Sequence, residues 1–310
     1  MRRLLMLLAV LGAAAPVALF ALQDDDGAPA ATTHHAHPAA SAAPPAVLPP
    51  RGSVVLARDS RELAVALAVR PGMPLRLTAT IIGGKGGGAD GLDVELIAGR
   101  ARSGASSRGR PCGHGCYTAT LPVRAPTRFA VNIKGAGASR SVAFPLPAPW
   151  APKPGAAFLS RATRTFRTLR SVLFVESLSS GLGHTVVTTW KLEAPNKLEY
   201  SIRDGAGGIV IGGQRWDRGK PGAPWKESTS TLLPQPVSPW GTSVANAYVL
   251  RTTPSRVTIS WYDPGVPSWF IGTFDRTTAR PIELRMTATA HFMQHRYLGF
   301  NRGVRIVPPT

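Results

Sequence analysis

The chain has 310 residues, 44% of them hydrophobic, with 32 glycines and 29 prolines, a balance that favours short strands and turns over a helical bundle. Its 36 Lys and Arg against 17 Asp and Glu give a formal charge of +19, so cationic partners are disfavoured and the basic surface suits nucleic acid, anionic lipid or anionic envelope polymer. The length allows two ordinary domains with sizeable cores.

The N-terminus decides among those partners. Arg2 and Arg3 precede an uncharged run from Leu4 to Leu22, and Asp24, Asp25 and Asp26 follow it. Residues 1–23 therefore read as an export segment. Signal anchor is the preferred reading: the run approaches the about 20 residues that span a bilayer, and the small-residue site Ala13-x-Ala15 is spoiled by Pro16. A cleaved signal peptide is the alternative. Either way the folded part is expected outside the cytoplasm, tethered to the cell membrane or secreted, with an anionic membrane surface as partner and no nucleic acid. No cysteine follows the run, so a lipid anchor is not expected there.

Residues 24–52 are rich in Ala and Pro without apolar periodicity, the composition of a disordered spacer. Within it His34, His35 and His37 are either solvated linker residues or a weak metal-capturing cluster. Residues 53–147 read as an all-β, Ig-like sandwich, with strands expected at Glu62–Val69, Leu75–Ile82, Leu92–Ile97, Cys116–Val123, Phe129–Ile133 and Ser141–Phe144. Cys112 and Cys116 are the two cysteines of the chain. In an exported protein such a pair is expected to form a disulfide, with a reduced Cys-His-Cys metal site as the alternative.

The proline-rich segment Pro145–Pro154 is a stiff connector, and the boundary between domains is placed at 148–155. The second domain, 156–310, opens with a helix expected over Ala156–Arg170. Phe158, Ala162, Phe166 and Leu169 form its apolar stripe, and Arg161, Arg164, Arg167 and Arg170 trace a basic edge. That edge is either a solvated face or a contact for anionic headgroups. Strands follow at Val172–Ser179, Thr185–Glu193 and Lys197–Arg203, in short pieces near Ile209–Ile211 and Arg215–Asp217, around Val257–Trp261 and at Trp269–Phe274.

The stretch Ile282–Asn301 reads as one long strand. Its alternation places Ile282, Leu284, Met286, Ala288, Ala290 and Phe292 on one face and His291, Met293 and His295 on the other. A helix followed by antiparallel strands gives an α+β layout. Trp190, Tyr200, Trp216, Trp261, Met286 and Phe292 are the candidate lining of a core or of an apolar ligand pocket. The His-x-Met-x-His ladder offers soft and borderline donors suited to copper, although residues about 6–7 Å apart along a strand need a further ligand such as His184. No nucleophile elbow, zinc-protease motif or phosphate-binding loop is present, and no carboxylate pair stands out. Catalysis is not expected.

Trp190-Lys-Leu-Glu-Ala-Pro-Asn-Lys-Leu-Glu-Tyr200, the run Ile209–Trp216 and the hairpin-like run Trp269–Met286 resemble the lipoprotein-localisation carrier superfamily over roughly residues 156–307. That resemblance implies an open half-barrel with the helix as a lid and an acyl chain or other lipid-like ligand in its concavity. The strand Cys-x-x-x-Cys-Tyr-x-Ala-Thr-Leu and the closing Phe-Pro-Leu-Pro-Ala-Pro-Trp are similar to β-sandwich modules appended to bacterial copper-resistance membrane proteins. This second resemblance implies a copper-handling role beside a copper-transport membrane protein. The expected function is thus a membrane-anchored, extracytoplasmic binding protein for an apolar or lipid-like ligand, then a copper-handling accessory protein, then a structural module of the envelope.

Overall fold

The computed structural model describes residues 46–100, 103–135, 138–146, 150–181, 183, 185–240 and 243–310. The apolar run, the spacer histidines and His184 lie outside the described residues. Among the described residues no helix is long and apolar enough to cross a membrane.

The N-terminal part consists of β1 (Val54–Ser60), β2 (Leu63–Arg70), β3 (Leu75–Ile82), β4 (Asp93–Arg100), β5 (Ser103–Arg108), β6 (Arg110–Gly113), β7 (Cys116–Leu121), β8 (Arg128–Gly135) and β9 (Ala138–Pro145). They form a five-stranded sheet, β1-β2-β3-β7-β6, and a four-stranded sheet, β5-β4-β8-β9. Leu67, Leu77 and Ile81 from the first sheet and Leu96, Phe129 and Val131 from the second are fully buried in one shared cluster, so the two sheets pack face to face. Cys112 and Cys116 are joined by a disulfide across the β6–β7 turn. Asp90 braces that turn: its carboxylate accepts from the Gly115 amide at 2.7 Å and lies 2.8 Å from His114 Nδ1.

The connector does more than separate the parts. Lys153–Pro154 (β10) pairs with Val249 and Tyr248 and becomes the edge of the large sheet that the rest of the chain builds. Helix α1 (Ala156–Arg167) follows and ends at the Thr168 cap, three residues before the expected end at Arg170. Leu159, Ala162 and Phe166 are its buried stripe, and Arg164 and Arg167 sit in the last turn, where the helix dipole favours cations. Gly155 starts the helix because the backbone passes so close to the sheet: a Cβ there would stand 3.0 Å from Ile259 and 3.2 Å from the Tyr248 carbonyl carbon.

The chain then lays down β11 (Ser171–Ser179), β12 (Thr185–Glu193), β13 (Lys197–Ile202), β14 (Gly207–Ile211), β15 (Gln214–Arg218) and β16 (Lys226–Thr229) as one meander, and β17 (Ala245–Thr252), β18 (Arg256–Asp263), β19 (Ser268–Asp275), β20 (Pro281–Ala288) and β21 (His291–Phe300) as another. Together with β10 they make a twelve-stranded open antiparallel sheet, β10-β17-β18-β19-β20-β21-β11-β12-β13-β14-β15-β16. The β21–β11 pairing joins the two meanders. On the helix side, residues from Ala247 of β17 to Val210 of β14 are buried in one continuous cluster with α1 and Trp240, as a sheet of this width does when it curls.

The stretch Ile282–Asn301 is a hairpin, not one strand. Thr289 and Ala290 form a two-residue turn, Ala290 with φ 48°, and the register pairs Leu284 with His295, Met286 with Met293, and Ala288 with His291. Directly opposed residues of an antiparallel pair share a face, so the His-Met-His ladder lies on the same side as Leu284, Met286 and Ala288, and Phe292 lies on the other.

The far side of the large sheet is where the two parts of the chain meet. Tyr262, Trp269 and Phe292 are buried against Val55, Ala57, Ala64, Ala66, Ala68 and Ile82; the alanines of β1 and β2 leave room for the three rings. Tyr248 Oη donates to the Gly52 carbonyl at 2.9 Å and Asn246 Nδ2 to Pro50 at 2.7 Å. Further along the same side, the C-terminal tail tucks Ile306 against Ile209 and Trp216, held by a Glu193 carboxylate on the Ile306 amide at 2.7 Å.

Candidate functional site

The helix covers one half of the inner face. Phe158 meets Phe274 edge-on, Phe166 meets Trp240 and Tyr297, and Trp240 donates its Nε1 hydrogen to Thr163 Oγ1 at 2.8 Å. Beyond it, the register of β21, β11, β12 and β13 stacks two rows of side chains on the same face. One row runs Tyr297–Phe174–Trp190–Tyr200, and the next runs Leu284–His295–Glu176–Thr188–Ile202.

The first row is aromatic throughout. Successive ring centroids lie 5.4, 6.2 and 5.3 Å apart, inside the range of favourable ring pairs. Tyr200 at its end is only half-buried and lies across Gly208, where any Cβ would collide with the ring. From there its hydroxyl donates to Asp217 Oδ1 at 3.4 Å, and the same carboxylate accepts from Arg215 Nη2 at 2.9 Å. Burial, reinforced by the Asp217 charge, raises the Tyr200 pKa. Burial raises Tyr297 well above the usual phenol range.

The second row carries a hydrogen-bonded histidine–carboxyl pair inside the sheet. His295 Nε2 lies 2.7 Å from Glu176 Oε2, and Tyr297 Oη lies 3.5 Å from the other ring nitrogen. Next to Glu176, Thr188 is fully buried and, among the described residues, its hydroxyl has no hydrogen-bond partner; nor has the indole Nε1 of Trp190, two residues along. Trp261 Nε1, nearer the helix, is likewise unpartnered. Leaving such a group unmet costs about 1–3 kcal/mol.

Of the residues singled out in the sequence, Trp190, Tyr200, Trp261 and Met286 come together on the inner face. Trp216 and Phe292 do not: Trp216 lies beneath the C-terminal tail and Phe292 in the seam between the sheets. His291, Met293 and His295 share the inner face, but His295 is engaged by Glu176. Among the described residues no three His, Cys, Asp or Glu side chains form a group that could hold a metal ion. Burial lowers the His291 pKa below 6.5. Arg161, Arg164, Arg167 and Arg170 are all exposed; Arg161 stacks on Phe158 and donates to the Arg276 carbonyl at 2.7 Å. Glu176, Thr188, Phe174 and Tyr297 complete the site and carry no motif; only the cross-strand register reveals them.

No family model and no curated protein matches the chain. Among solved structures, a LolA superfamily protein from Nitrosomonas europaea is similar over 50% of this chain and 96% of its own length, at 9% identity and a TM-score of 0.24. A score of that size carries no functional weight, and the site is defined by its own residues. The copper-resistance resemblance of the N-terminal sheets has no support in these comparisons.

Proposed function

We propose that the twelve-stranded domain is a binding protein for an apolar, lipid-like ligand, held on the inner face of β21, β11, β12 and β13 beside the helix. The observation that carries this reading is the aromatic row from Tyr297 to Tyr200. Four rings cross four adjacent strands and run from beneath the helix to a half-exposed end, the lining that an acyl chain requires. The exposed arginines on α1 suit an anionic membrane surface from which such a ligand is taken or to which it is given. The apolar run at 4–22 would tether the protein on the extracytoplasmic side of the cell membrane. The role is binding, without chemistry on the ligand.

Native mass spectrometry of the protein purified from its own envelope tests the reading. A co-purified lipid mass, lost on replacing Trp190 and Tyr200 by alanine, is expected. A parent protein that carries no lipid and takes none up from anionic vesicles contradicts it.

A further inference from the structure

Thr188 and Trp190 lie two residues apart on β12, about 6.8 Å along the strand, and both point to the inner face. Thr188 is 0% and Trp190 5% exposed, and each has a polar atom without a partner. The two carboxylates nearest in the register already hold other partners. Glu176, directly across from Thr188, binds His295, and Asp217 is shared by Tyr200 and Arg215. Valine at 188 and a purely hydrocarbon ring at 190 would carry no unmet polar atom, so the two donors point to an acceptor supplied from outside the chain.

We propose that Thr188 and Trp190 form a recognition station for the ester group of an uncharged acyl ester, an inference that rests on the lipid-binding reading above. A bare hydrocarbon leaves both donors unmet. A free carboxylate sets a second carboxyl group beside that of Glu176 in a buried site, an arrangement that disfavours it. An ester brings carbonyl and bridging oxygens that accept hydrogen bonds, with no charge and no proton to place. The aromatic row then takes the acyl chain while the station fixes its linkage.

The test measures binding of three probes to the full chain by isothermal titration calorimetry: 1-oleoylglycerol, its ether analogue 1-O-oleylglycerol, and oleate. The ester is expected to bind about 10-fold tighter than the ether, the worth of a hydrogen bond to a buried donor, and tighter than oleate. Thr188→Val with Trp190→Phe removes that preference, so that the ratio of ester to ether affinity falls to about 1 whatever the two affinities become. Thr188→Ser keeps the hydroxyl and keeps the preference, a control for folding defects. Equal ester and ether affinities, tightest binding of oleate, or an ester preference that survives the double variant overturns the station alone. Binding of none of the three overturns the lipid-binding reading and the station with it.

Discussion

His295 Nε2 and Glu176 Oε2 stand 2.7 Å apart with side chains only 2% and 8% exposed, and they sit on β21 and β11, the two strands that join the separate meanders of the large sheet. The pair is therefore a polar rivet at the seam where the last strand of the chain meets the first strand after the helix. Removing one partner of a buried pair strands the other and costs about 3–5 kcal/mol, whereas replacing both by apolar residues is far milder. Glu176→Ala is expected to fall in that range by urea denaturation, and Glu176→Leu with His295→Leu to recover most of the loss. A single replacement that costs nothing shows that the seam does not depend on the pair.

The disulfide closes a very short loop. The chain-entropy relation gives about 2 kcal/mol for such a loop, so Cys112→Ser with Cys116→Ser should lower the stability of the N-terminal sheets by that amount and leave the large sheet intact. A thiol assay on the oxidised, unfolded parent should find no reactive cysteine. Two reactive thiols reject the bridge.

Phe292 is the ring that the β20–β21 hairpin contributes to the seam between the two parts of the chain. Phe292→Ala is expected to cost about 3 kcal/mol, as for large buried rings, and to separate a single calorimetric transition into two. A variant as stable as the parent, with one transition, shows that the seam does not hold the parts together.

Burial holds His291 below its ordinary value of 6.5, so between its folded and unfolded pKa the unfolded chain binds more protons than the folded one. Stability from this residue is present above pH 6.5 and is lost as pH falls towards the lowered value. The carboxylates with lowered pKa, Glu62, Asp90, Glu95 and Asp275, start from 3.8 to 4.5 and act in a more acidic window. Denaturation midpoints at pH 7.5 and 5.5 should therefore differ in the parent and differ less in His291→Gln. An equal acid loss in both assigns the effect to another group.

Much of the β content is legible because alternation is strong wherever one face is buried, as in β3, β12 and β18. The edge and seam strands are harder. β5 is Ser-Gly-Ala-Ser-Ser-Arg, β6 is Arg-Pro-Cys-Gly and β10 is a Lys-Pro dipeptide, so no alternation of large apolar residues marks them. β1 and β17 are missed because the seam buries alanines and valines on the side that ordinarily carries polar residues. The turn at Thr289-Ala290 contains none of Gly, Asn, Asp or Pro, and without that signal the hairpin reads as one strand and its His-Met-His face is inverted. In the site, Trp190, Tyr200 and Trp261 stand out by size alone. Glu176 and Thr188 do not, since their meaning comes from facing each other and His295 across strands far apart in sequence.

Photo-crosslinking with a diazirine-bearing 1-acylglycerol tests the lipid-binding inner face most directly. The label is expected on residues 172–178, 186–202 and 291–297, displaced by unlabelled 1-oleoylglycerol and weakened by Trp190→Ala. Label confined to β1–β9 or to the outer face around Trp216, or undisplaced by competitor, contradicts it.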